Sequence, residues 1–161
     1  MPNGMMMVEL VRVGLEEAES LWEMQVRSFA ELYEKYQDAE TSPATEKVEK
    51  IIARINQPFT YYYFIQDGGV TVGVIRVVDK KTIDEPKRIS PIFILPEYRN
   101  RKYAQSAMIK AEEIHGAGNW ELDTILQEPG NCHLYEKMGY RQTGKTEVIN
   151  ERLTLVFYKK D

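Results

Sequence analysis

The part of this sequence best suited to chemistry is residues 92–105, which read IFILPEYRNRKYAQ. A buried strand is predicted to end at Pro96, and an amphipathic helix is predicted to begin near Lys102. The start of a helix carries unpaired backbone N–H groups and a partial positive charge, and Arg99, Arg101 and Lys102 add cationic side chains here. The segment is therefore suited to binding an anion such as a pyrophosphate. A plain strand-to-helix turn with solvated basic residues explains the pattern equally well.

The other residue types that commonly react or bind metals are few. Cys132 is the only cysteine, so the chain has no internal disulfide and no cysteine-based metal cluster. We expect it to be a small packed residue, because no histidine pattern that would activate it as a nucleophile accompanies it. The two histidines lack a third ligand at metal spacing, so no metal site is predicted. His115 is expected to complement a helix dipole, and His133 to lie at the surface or cap a helix.

Composition and charge narrow the function classes. The 161 residues are 43% hydrophobic and 29% charged, as in a soluble globular protein, and they fit one domain, 1–161. The net charge is −4 and no basic stripe dominates, which argues against nucleic acid as a partner. The early acidic residues are expected to form a solvated surface, although they also suit a cationic substrate. They are Glu16, Glu17, Glu19, Glu23, Glu31, Glu34, Asp38 and Glu40.

The sequence predicts a cytoplasmic protein without a membrane partner. Residues 1–7 lack the positive start and the long apolar stretch of a signal peptide. No run along the chain is long enough to span a membrane.

Hydrophobic periodicity predicts a mixed α/β fold in the order β-α-α-β-β-β-α-β-α-β. After a strand at 8–13 come two helices, the first ending at Tyr36 and the second capped by Ser42 or Thr45 and ending before Pro58. Further strands are predicted at 60–66, 70–78, 88–95, 120–125 and 147–159, with helices near 102–116 and 131–138. Residues 67–69, Asp-Gly-Gly, should turn an antiparallel hairpin, and 88–125 should form a parallel crossover.

Residues 96–104, PEYRNRKYA, resemble the acetyl-CoA-binding motif of the GNAT N-acetyltransferase superfamily. In that motif an Arg or Gln is followed at fixed spacing by Gly and then by Gly or Ala. Arg99 fills the first position and Ala104 the last. Lys102 stands where Gly is usual, and Asn100 where a further Gly is common. Glycine there lets the backbone approach the phosphates, so we expect Lys102 to fit if its φ is helical and its side chain points outwards.

A second segment, LYEKMGY at 134–140, is similar to the late helix and turn of the same family. The slot in which the family often has an asparagine holds Glu128 here, with Asn131 nearer to the motif. Both motifs occur in the family's order, on matching strands and helices over 88–140. The chain is therefore identified as a member of the superfamily, which implies a GNAT-like central mixed sheet of about six to seven strands flanked by about four helices.

The resemblance implies transfer of an acetyl group from acetyl-CoA to an amine, with CoA as the product. In that fold the strand ending near Leu95 separates from strand 120–125, and the pantetheine arm enters between them. Phe93 and Ile94 would bind this arm through their backbone, one N–H polarising the thioester carbonyl. The backbone of the following loop would hold the pyrophosphate, through Arg99, Asn100, Arg101, Lys102, Tyr103 and Ala104. Tyr135 matches the family's general acid, which protonates the departing thiolate; core packing is the alternative role for Tyr135, Phe93 and Ile94.

The acceptor and the general base are not determined by the sequence. Glu128 and Glu40 are the carboxylates considered as a base. By resemblance, the first two helices would form the acceptor site, where Phe29, Tyr33 and Tyr36 lie at helical spacing, although most such aromatics belong to a core. The acceptor would be an amine of a small molecule or peptide. A homodimer through the C-terminal strands is compatible with the family.

Two other function classes were weighed against the acetyltransferase. A GNAT-like domain that binds acyl-CoA without chemistry is the alternative, because Lys102 occupies a glycine position. A nucleotide-dependent enzyme of another class is disfavoured, since the chain lacks Gly-x-Gly-x-x-Gly after an early strand, a Walker lysine motif and a Gly-x-Ser-x-Gly turn.

Overall fold

A computed structural model describes residues 7–161. The prediction that the N-terminus is not a signal peptide concerns residues 1–7, of which 1–6 lie outside the described residues. Within the described residues lie seven strands and four α-helices. In chain order they are β1 Glu9–Arg12, α1 Ala18–Tyr36, α2 Val48–Ile55, β2 Thr60–Asp67, β3 Val70–Val78, β4 Lys87–Ile94, α3 Tyr103–His115, β5 Trp120–Ile125, α4 Pro129–Lys137, β6 Arg141–Val148 and β7 Thr154–Lys160. The α/β class and the element order up to α4 are as predicted.

The seven strands form one mixed sheet in the order β1-β2-β3-β4-β5-β7-β6. Neighbouring strands are antiparallel except for β4 and β5, which run parallel and are connected by α3. The predicted hairpin is β2 and β3, whose turn residues Gly68 and Gly69 both have positive φ, of 56° and 84°. Glycine takes this conformation without strain, which explains why the chain turns here.

Helices cover both faces of the sheet, and each face has its own buried core. On β2, the side chains of Tyr62 and Phe64 pack with α1 and α2, and those of Tyr63 and Ile65 pack with α3 and its neighbours. Successive residues of a strand point to opposite faces. Both faces of β2 are buried, which explains why residues 61–65 are all aromatic or aliphatic.

The final strand predicted within 147–159 is present as β7, but the strand β6 before it was not predicted. The C-terminus is a hairpin of β6 and β7, paired from Arg141 opposite Lys159 to Val148 opposite Thr154. Strand β6 is exposed along its whole length, so its sequence RQTGKTEV lacks the apolar alternation by which strands are recognised. The side chain of Asn150 closes the hairpin by accepting hydrogen bonds from the backbone N–H groups of two following residues, at 2.8 and 3.0 Å.

The predicted caps of the second helix are wrong. The Oγ of Ser42 accepts the backbone N–H of Ala44 at 3.1 Å and so caps a separate short 3-10 helix, Pro43–Thr45. Helix α2 begins later, at Val48, with Lys47 as an N-cap that makes no side-chain bond. Pro43 explains the difference, because proline at the first helical position starts a turn of its own.

Candidate active site

Strands β4 and β5 separate soon after they meet. They pair only at Lys87 opposite Trp120 and Arg88 opposite Glu121, although both continue for several residues. Beyond that point β5 pairs with β7 as far as Ile125, and β4 pairs with β3 as far as Ile94. The sheet is therefore open between these two strands, as the family resemblance implied.

A bulge in β4 lies where the two strands begin to separate. On the β3 side the register moves from Ile75 opposite Ile92 to Val77 opposite Ile89, so Ser90 and Pro91 both face Arg76. The Arg76 Nη1 atom donates a hydrogen bond of 2.6 Å to the carbonyl oxygen of Ser90. Burial, reinforced by the charge of Arg54, lowers the pKa of Arg76 to about 10. The guanidinium lies on the face of the sheet that packs against α1, and its hydrogen bond stabilises the bulge.

The backbone of β4 presents alternate N–H groups to the gap. The N–H of Leu95 donates to Val72 of β3 at 2.8 Å. Because N–H directions alternate along a strand, the N–H of Phe93 also faces β3, and those of Ile92 and Ile94 face the gap. Of the two predicted residues, Ile94 therefore offers backbone to the gap, and Phe93 packs its ring against Phe29 at 5.6 Å between centroids.

The loop after β4 has glycine-like backbone without glycine. Asn100 and Lys102 have φ of 65° and 66°, in the left-handed region. Of the two conditions set for Lys102, the side chain is exposed, but φ is left-handed and not in the right-handed helical region. Glycine normally fills such positions because other residues take this conformation at a cost of roughly 1–2 kcal/mol. The loop therefore preserves the backbone path of the glycine-rich motif.

The first turn of α3 supplies the unpaired N–H groups expected of an anion site. The first backbone bond of the helix runs from Ser106 to the Lys102 carbonyl, at 3.1 Å, so the N–H groups of Tyr103, Ala104 and Gln105 have no carbonyl partner within the helix. The N–H of Arg99 is already donated to Pro96, at 3.4 Å.

The side chains of this loop have different surroundings. Arg99 donates through Nη2 to the Ser28 carbonyl at 2.7 Å and through Nε to the Ile94 carbonyl at 3.2 Å, so it fixes the loop to α1 and β4. Tyr103 is buried, and its hydroxyl donates to Asp67 at 2.5 Å. Asn100, Arg101 and Lys102 are exposed, and Ala104 is half-buried. The charges of Arg101 and Lys102 therefore face solvent beside the start of α3.

A cavity of about 260 Å³ opens where β4 and β5 separate. Its walls come from α1, the segment 38–43, the bulge of β4, the end of β5 and α4. The lining residues are Phe29, Leu32, Asp38, Thr41, Ser42, Pro43, Ile89, Ser90, Pro91, Ile92, Asp123, Thr124, Ile125, Asn131, Tyr135 and Leu155. The fold thus brings Tyr135 next to the gap beside β4, although Tyr135 follows the end of β4 by 41 residues in the sequence.

Tyr135 lies on α4 with 8% of its surface exposed. Its ring contacts those of Tyr140 and Tyr158, at 6.2 and 6.3 Å between centroids. Within residues 7–161 its hydroxyl forms no hydrogen bond, so the proton is not committed to a protein partner. Burial, reinforced by the charge of Asp123, raises the pKa of Tyr135 well above its ordinary value. The phenol therefore stays protonated at neutral pH.

A model of the Acetyltransferase (GNAT) family matches residues 19–140, which is more than half of the chain. The chain belongs to the GNAT acetyltransferase family. Both motifs identified in the sequence lie within the matched range, and the sheet, gap and helices around the cavity have the architecture that membership implies. A comparison with curated proteins gives no match.

Solved GNAT acetyltransferases have the same fold over nearly the whole chain. A PaiA N-acetyltransferase from Thermoplasma acidophilum, in complex with coenzyme A, is 18% identical with a TM-score of 0.70, covering 97% of this chain and 100% of that chain. A spermidine N-acetyltransferase from Vibrio cholerae, in complex with CoA and spermine, is 16% identical with a TM-score of 0.74, covering 94% and 93%. An alanine N-acetyltransferase of a ribosomal protein from Escherichia coli is 11% identical with a TM-score of 0.71, covering 94% and 92%. At these identities the similarity shows the fold.

Neither carboxylate considered as a base in this GNAT acetyltransferase lines the cavity. Glu40 is exposed. Glu128 accepts hydrogen bonds from the Tyr36 hydroxyl and from Lys35 Nζ, the latter at 2.9 Å. Burial raises the pKa of Glu128, but these hydrogen bonds outweigh burial and hold the pKa below its usual value. Glu128 is therefore a poor proton acceptor.

Two acidic residues that the sequence analysis did not assign to the site line the cavity instead. Asp123, at the open end of β5, forms an ion pair with Arg88 at 2.8 Å. Asp38 was expected on a solvated surface with the other early acidic residues, but it is 9% exposed. It follows the last turn of α1, but no feature of the sequence marks it as buried. Of the helical aromatics, Phe29 lines the cavity, whereas Tyr33 and Tyr36 do not.

The histidines of this GNAT acetyltransferase lie away from the cavity. His133 is exposed, as expected. His115 ends α3, as a dipole role requires, but its side chain is buried and bonds Asp79 and Tyr63, each at 2.8 Å. Within residues 7–161 no three His, Cys, Asp or Glu side chains lie close enough together to hold a metal ion. No helix in this part of the chain has the length and apolarity needed to cross a membrane.

Proposed function

We propose that this protein transfers an acetyl group from acetyl-CoA to the primary amine of a small molecule or peptide. The observation that carries the proposal is that the gap between β4 and β5 opens into a cavity lined by Tyr135, and that β4 continues from this gap into the loop before α3. Family membership supports acyl transfer. The acetyl group, the amine acceptor and the direct attack of the amine are our inferences.

The residues around the gap fit a CoA thioester, the group that supplies an activated acyl carbon. The free N–H groups at the start of α3 and the exposed cations Arg101 and Lys102 are suited to hold the pyrophosphate. The N–H groups of Ile92 and Ile94 would bind the pantetheine arm, and one of them would polarise the thioester carbonyl. In this proposal Phe93 contributes packing, and Asn100 and Arg99 shape the loop.

Tyr135 would act as the general acid. When an uncharged amine nitrogen bonds to the acyl carbon, the carbon–sulfur bond breaks, the sulfur takes one proton and the nitrogen releases one proton to water. A phenol that remains protonated and has no competing hydrogen bond within the described residues is suited to donate it. The raised pKa of Tyr135 also makes it recover its proton readily from solvent between turnovers.

A CoA-binding module without catalysis is the second candidate. It is favoured by one observation, the left-handed φ of Lys102 and Asn100, since both carry side chains where the motif normally has none. A Cβ at these positions restricts how closely phosphates approach the loop, so a bound CoA would lie in a different position relative to Tyr135.

The first test is a comparison of thermal unfolding with acetyl-CoA, CoA, ATP and NAD at equal concentration. Ligand at about a hundred times its dissociation constant stabilises by about 2.7 kcal/mol, which shifts the midpoint by several degrees. We expect a shift with acetyl-CoA and CoA, and none with the other two. No shift with either CoA ligand would contradict both candidates.

The second test separates the candidates by measuring release of free CoA from acetyl-CoA with a panel of primary amines. Catalysis predicts release that depends on the amine and yields the N-acetyl product. Binding of CoA without amine-dependent release from any amine of the panel would favour the module.

A further inference from the structure

The charges that line the cavity are all negative. Asp38 and Asp123 are its ionisable acids, and no Lys, Arg or His belongs to the described residues that line it. Asp123 is already neutralised by the guanidinium of Arg88, at 2.8 Å. Asp38 has no cationic side chain within 4.0 Å among residues 7–161. The cavity thus contains one carboxylate without a counter-charge.

Asp38 is held rigidly at this wall. Gln37 ends α1 with a left-handed φ of 54° and turns the chain back beneath the helix end. The Asp38 carbonyl then accepts the N–H groups of Thr41 and Ser42, at 3.0 and 2.8 Å. The carboxylate accepts one hydrogen bond, from Thr41 Oγ1 to Oδ2 at 2.9 Å.

One hydrogen bond is little for a carboxylate that is 9% exposed. An ionised carboxylate can accept about four hydrogen bonds, and Oδ1 of Asp38 accepts none from the described residues. A cation within the cavity would meet these open acceptor positions. The nearby cation Lys35 does not serve, because it pairs with Glu128 at 2.9 Å.

We propose that Asp38 recognises the cationic nitrogen of the acceptor, and that the acceptor is an alkyl amine with no carboxylate beside the amino group. The inference rests on the proposed acetyl transfer, because it identifies this cavity as the place where the acceptor amine binds. Asp38 attracts the ammonium form to the cavity, and the nitrogen loses one proton to water before it attacks the thioester. An α-amino acid would bring its own carboxylate into a cavity in which no lining side chain among the described residues carries a positive charge.

The rest of the lining suits an aliphatic chain. Phe29, Leu32, Ile125 and Leu155 give the cavity apolar walls. Its volume of about 260 Å³ is below the range of roughly 300–1,000 Å³ for pockets that enclose whole drug-sized ligands. The cavity therefore admits the reacting group and a short aliphatic segment.

The test compares two ligands that differ only in the carboxylate, n-pentylamine and norleucine. Each is titrated calorimetrically into the protein saturated with CoA, so that no turnover is needed. We expect n-pentylamine to bind at least about tenfold more tightly than norleucine, since a factor of ten needs only about 1.4 kcal/mol. Equal affinity, or absence of n-pentylamine binding, would overturn the proposal.

The matched variants are Asp38→Asn and Glu40→Gln, which remove a buried and an exposed carboxylate two residues apart. Asn keeps the shape and the acceptor for Thr41. We expect Asp38→Asn to weaken n-pentylamine binding at least about tenfold and to reduce the preference over norleucine, and Glu40→Gln to change neither. Unchanged n-pentylamine binding by Asp38→Asn would overturn the proposal.

CoA titration of each protein keeps this result distinct from the proposed function. A wild-type protein that binds CoA but does not discriminate the two ligands refutes the role of Asp38 and leaves acetyl transfer standing. A wild-type protein that does not bind CoA refutes the proposed function itself. If Asp38→Asn loses CoA binding, the proposal is tested by the relative affinities of the wild-type protein for n-pentylamine and norleucine.

Discussion

At the scale of single residues, the site depends on how the fold changes the chemistry of ordinary side chains. Tyr135 is a phenol whose pKa is raised by burial, so it retains its proton. Asp38 is a carboxylate that burial leaves with one hydrogen bond and no ion pair among the described residues. A tyrosine at the surface would have a pKa nearer its ordinary value, because water would solvate its charged form.

Replacing Tyr135 by Phe removes the hydroxyl and keeps the ring. We expect kcat for acetyl transfer to fall about a hundredfold or more, because a positioned general acid contributes roughly 10²–10⁴-fold. The dissociation constant of CoA should be nearly unchanged, since the hydroxyl is not part of the loop before α3. Steady-state kinetics and calorimetry measure the two quantities.

Tyr140→Phe is the control for this substitution. The Tyr140 ring contacts that of Tyr135, and its own hydroxyl is buried without a hydrogen-bond partner among residues 7–161. We expect activity to be retained and stability to be equal or slightly higher, because an unsatisfied buried hydroxyl is removed. Equal rates for Tyr135→Phe and the wild type would exclude Tyr135 from the reaction.

At the scale of elements, the connection from β4 to α3 is the proposed binding site of the CoA phosphates. The 3-10 helix Pro96–Tyr98, the left-handed residues and the first turn of α3 follow each other within a few residues. Arg99 ties this connection to both α1 and β4. The path of the loop is thus fixed by long-range bonds, which allows lysine and asparagine to take positions normally reserved for glycine.

Replacing Lys102 by Gly should relieve backbone strain. The Lys102 side chain is exposed and its φ is 66°, so glycine loses little packing and gains a conformation it adopts freely. We expect the free energy of unfolding to rise by about 0.5–1 kcal/mol, less than the full strain because glycine is also more flexible when unfolded. Urea unfolding measures this change.

Lys102→Ala separates strain from charge. Alanine also removes the ammonium group but keeps the Cβ. We therefore expect the free energy of unfolding of Lys102→Ala not to exceed that of the wild type. An equal effect of Gly and Ala would mean that the left-handed conformation of Lys102 costs nothing.

At the scale of the whole molecule, helices on the two faces of the sheet are joined to it by buried polar groups as well as by apolar cores. The clearest case is His115, which links α3 to Asp79 after β3 and to Tyr63 on β2. A carboxylate can only accept, so Nδ1 carries a proton, and in the neutral ring Nε2 accepts a hydrogen bond from the Tyr63 hydroxyl. Burial favours this neutral form of the imidazole.

Acid should weaken the fold through this network. Burial lowers the pKa of His115, against the opposing effect of Asp79, and the charges of Lys81 and Arg12 lower it further. The folded state therefore takes up a proton at lower pH than the unfolded state, whose histidine titrates near its ordinary value of 6.5. As pH falls below about 6.5, the unfolded state binds more protons and stability declines, by at most about 1.4 kcal/mol per pH unit for one group.

The carboxylate partner acts in the same direction at lower pH. Burial raises the pKa of Asp79, but hydrogen bonds from His115 and the Lys81 backbone outweigh burial and lower it. Its stabilisation is present above the unfolded pKa and is lost as pH falls through the folded value.

The measurement is the free energy of unfolding between pH 7.5 and 5.5 for wild type, His115→Gln and His133→Gln. These are the two histidines of the chain, one buried and one exposed. We expect His115→Gln to flatten the pH dependence in this range and His133→Gln to retain it. A wild-type slope that survives in His115→Gln would assign it to other groups.

The sequence predicted those elements whose signals are local. The Asp-Gly-Gly turn, the helical periodicity of α1 and α3 and the two family motifs depend on neighbouring residues, and they led to the α/β class, the element order up to α4 and Tyr135 as the candidate acid. The hairpin of β6 and β7 was missed because an exposed edge strand carries no hydrophobic alternation. Ser42 was assigned to the wrong helix because a proline-started turn has the same cap chemistry as a longer helix.

The tertiary structure alone decided which polar residues are buried and what they meet. Asp38 stands in a run of acidic residues that are mostly exposed, and nothing within that run distinguishes it. His115 meets a partner 52 residues away, and Glu128 meets Tyr36 across 92 residues. Sequence by itself determined the elements and the motifs because these depend on chemistry between near neighbours. The cavity, its unpaired carboxylate and the state of each titratable group required the fold, because burial and charge pairing are set by residues far apart in the chain.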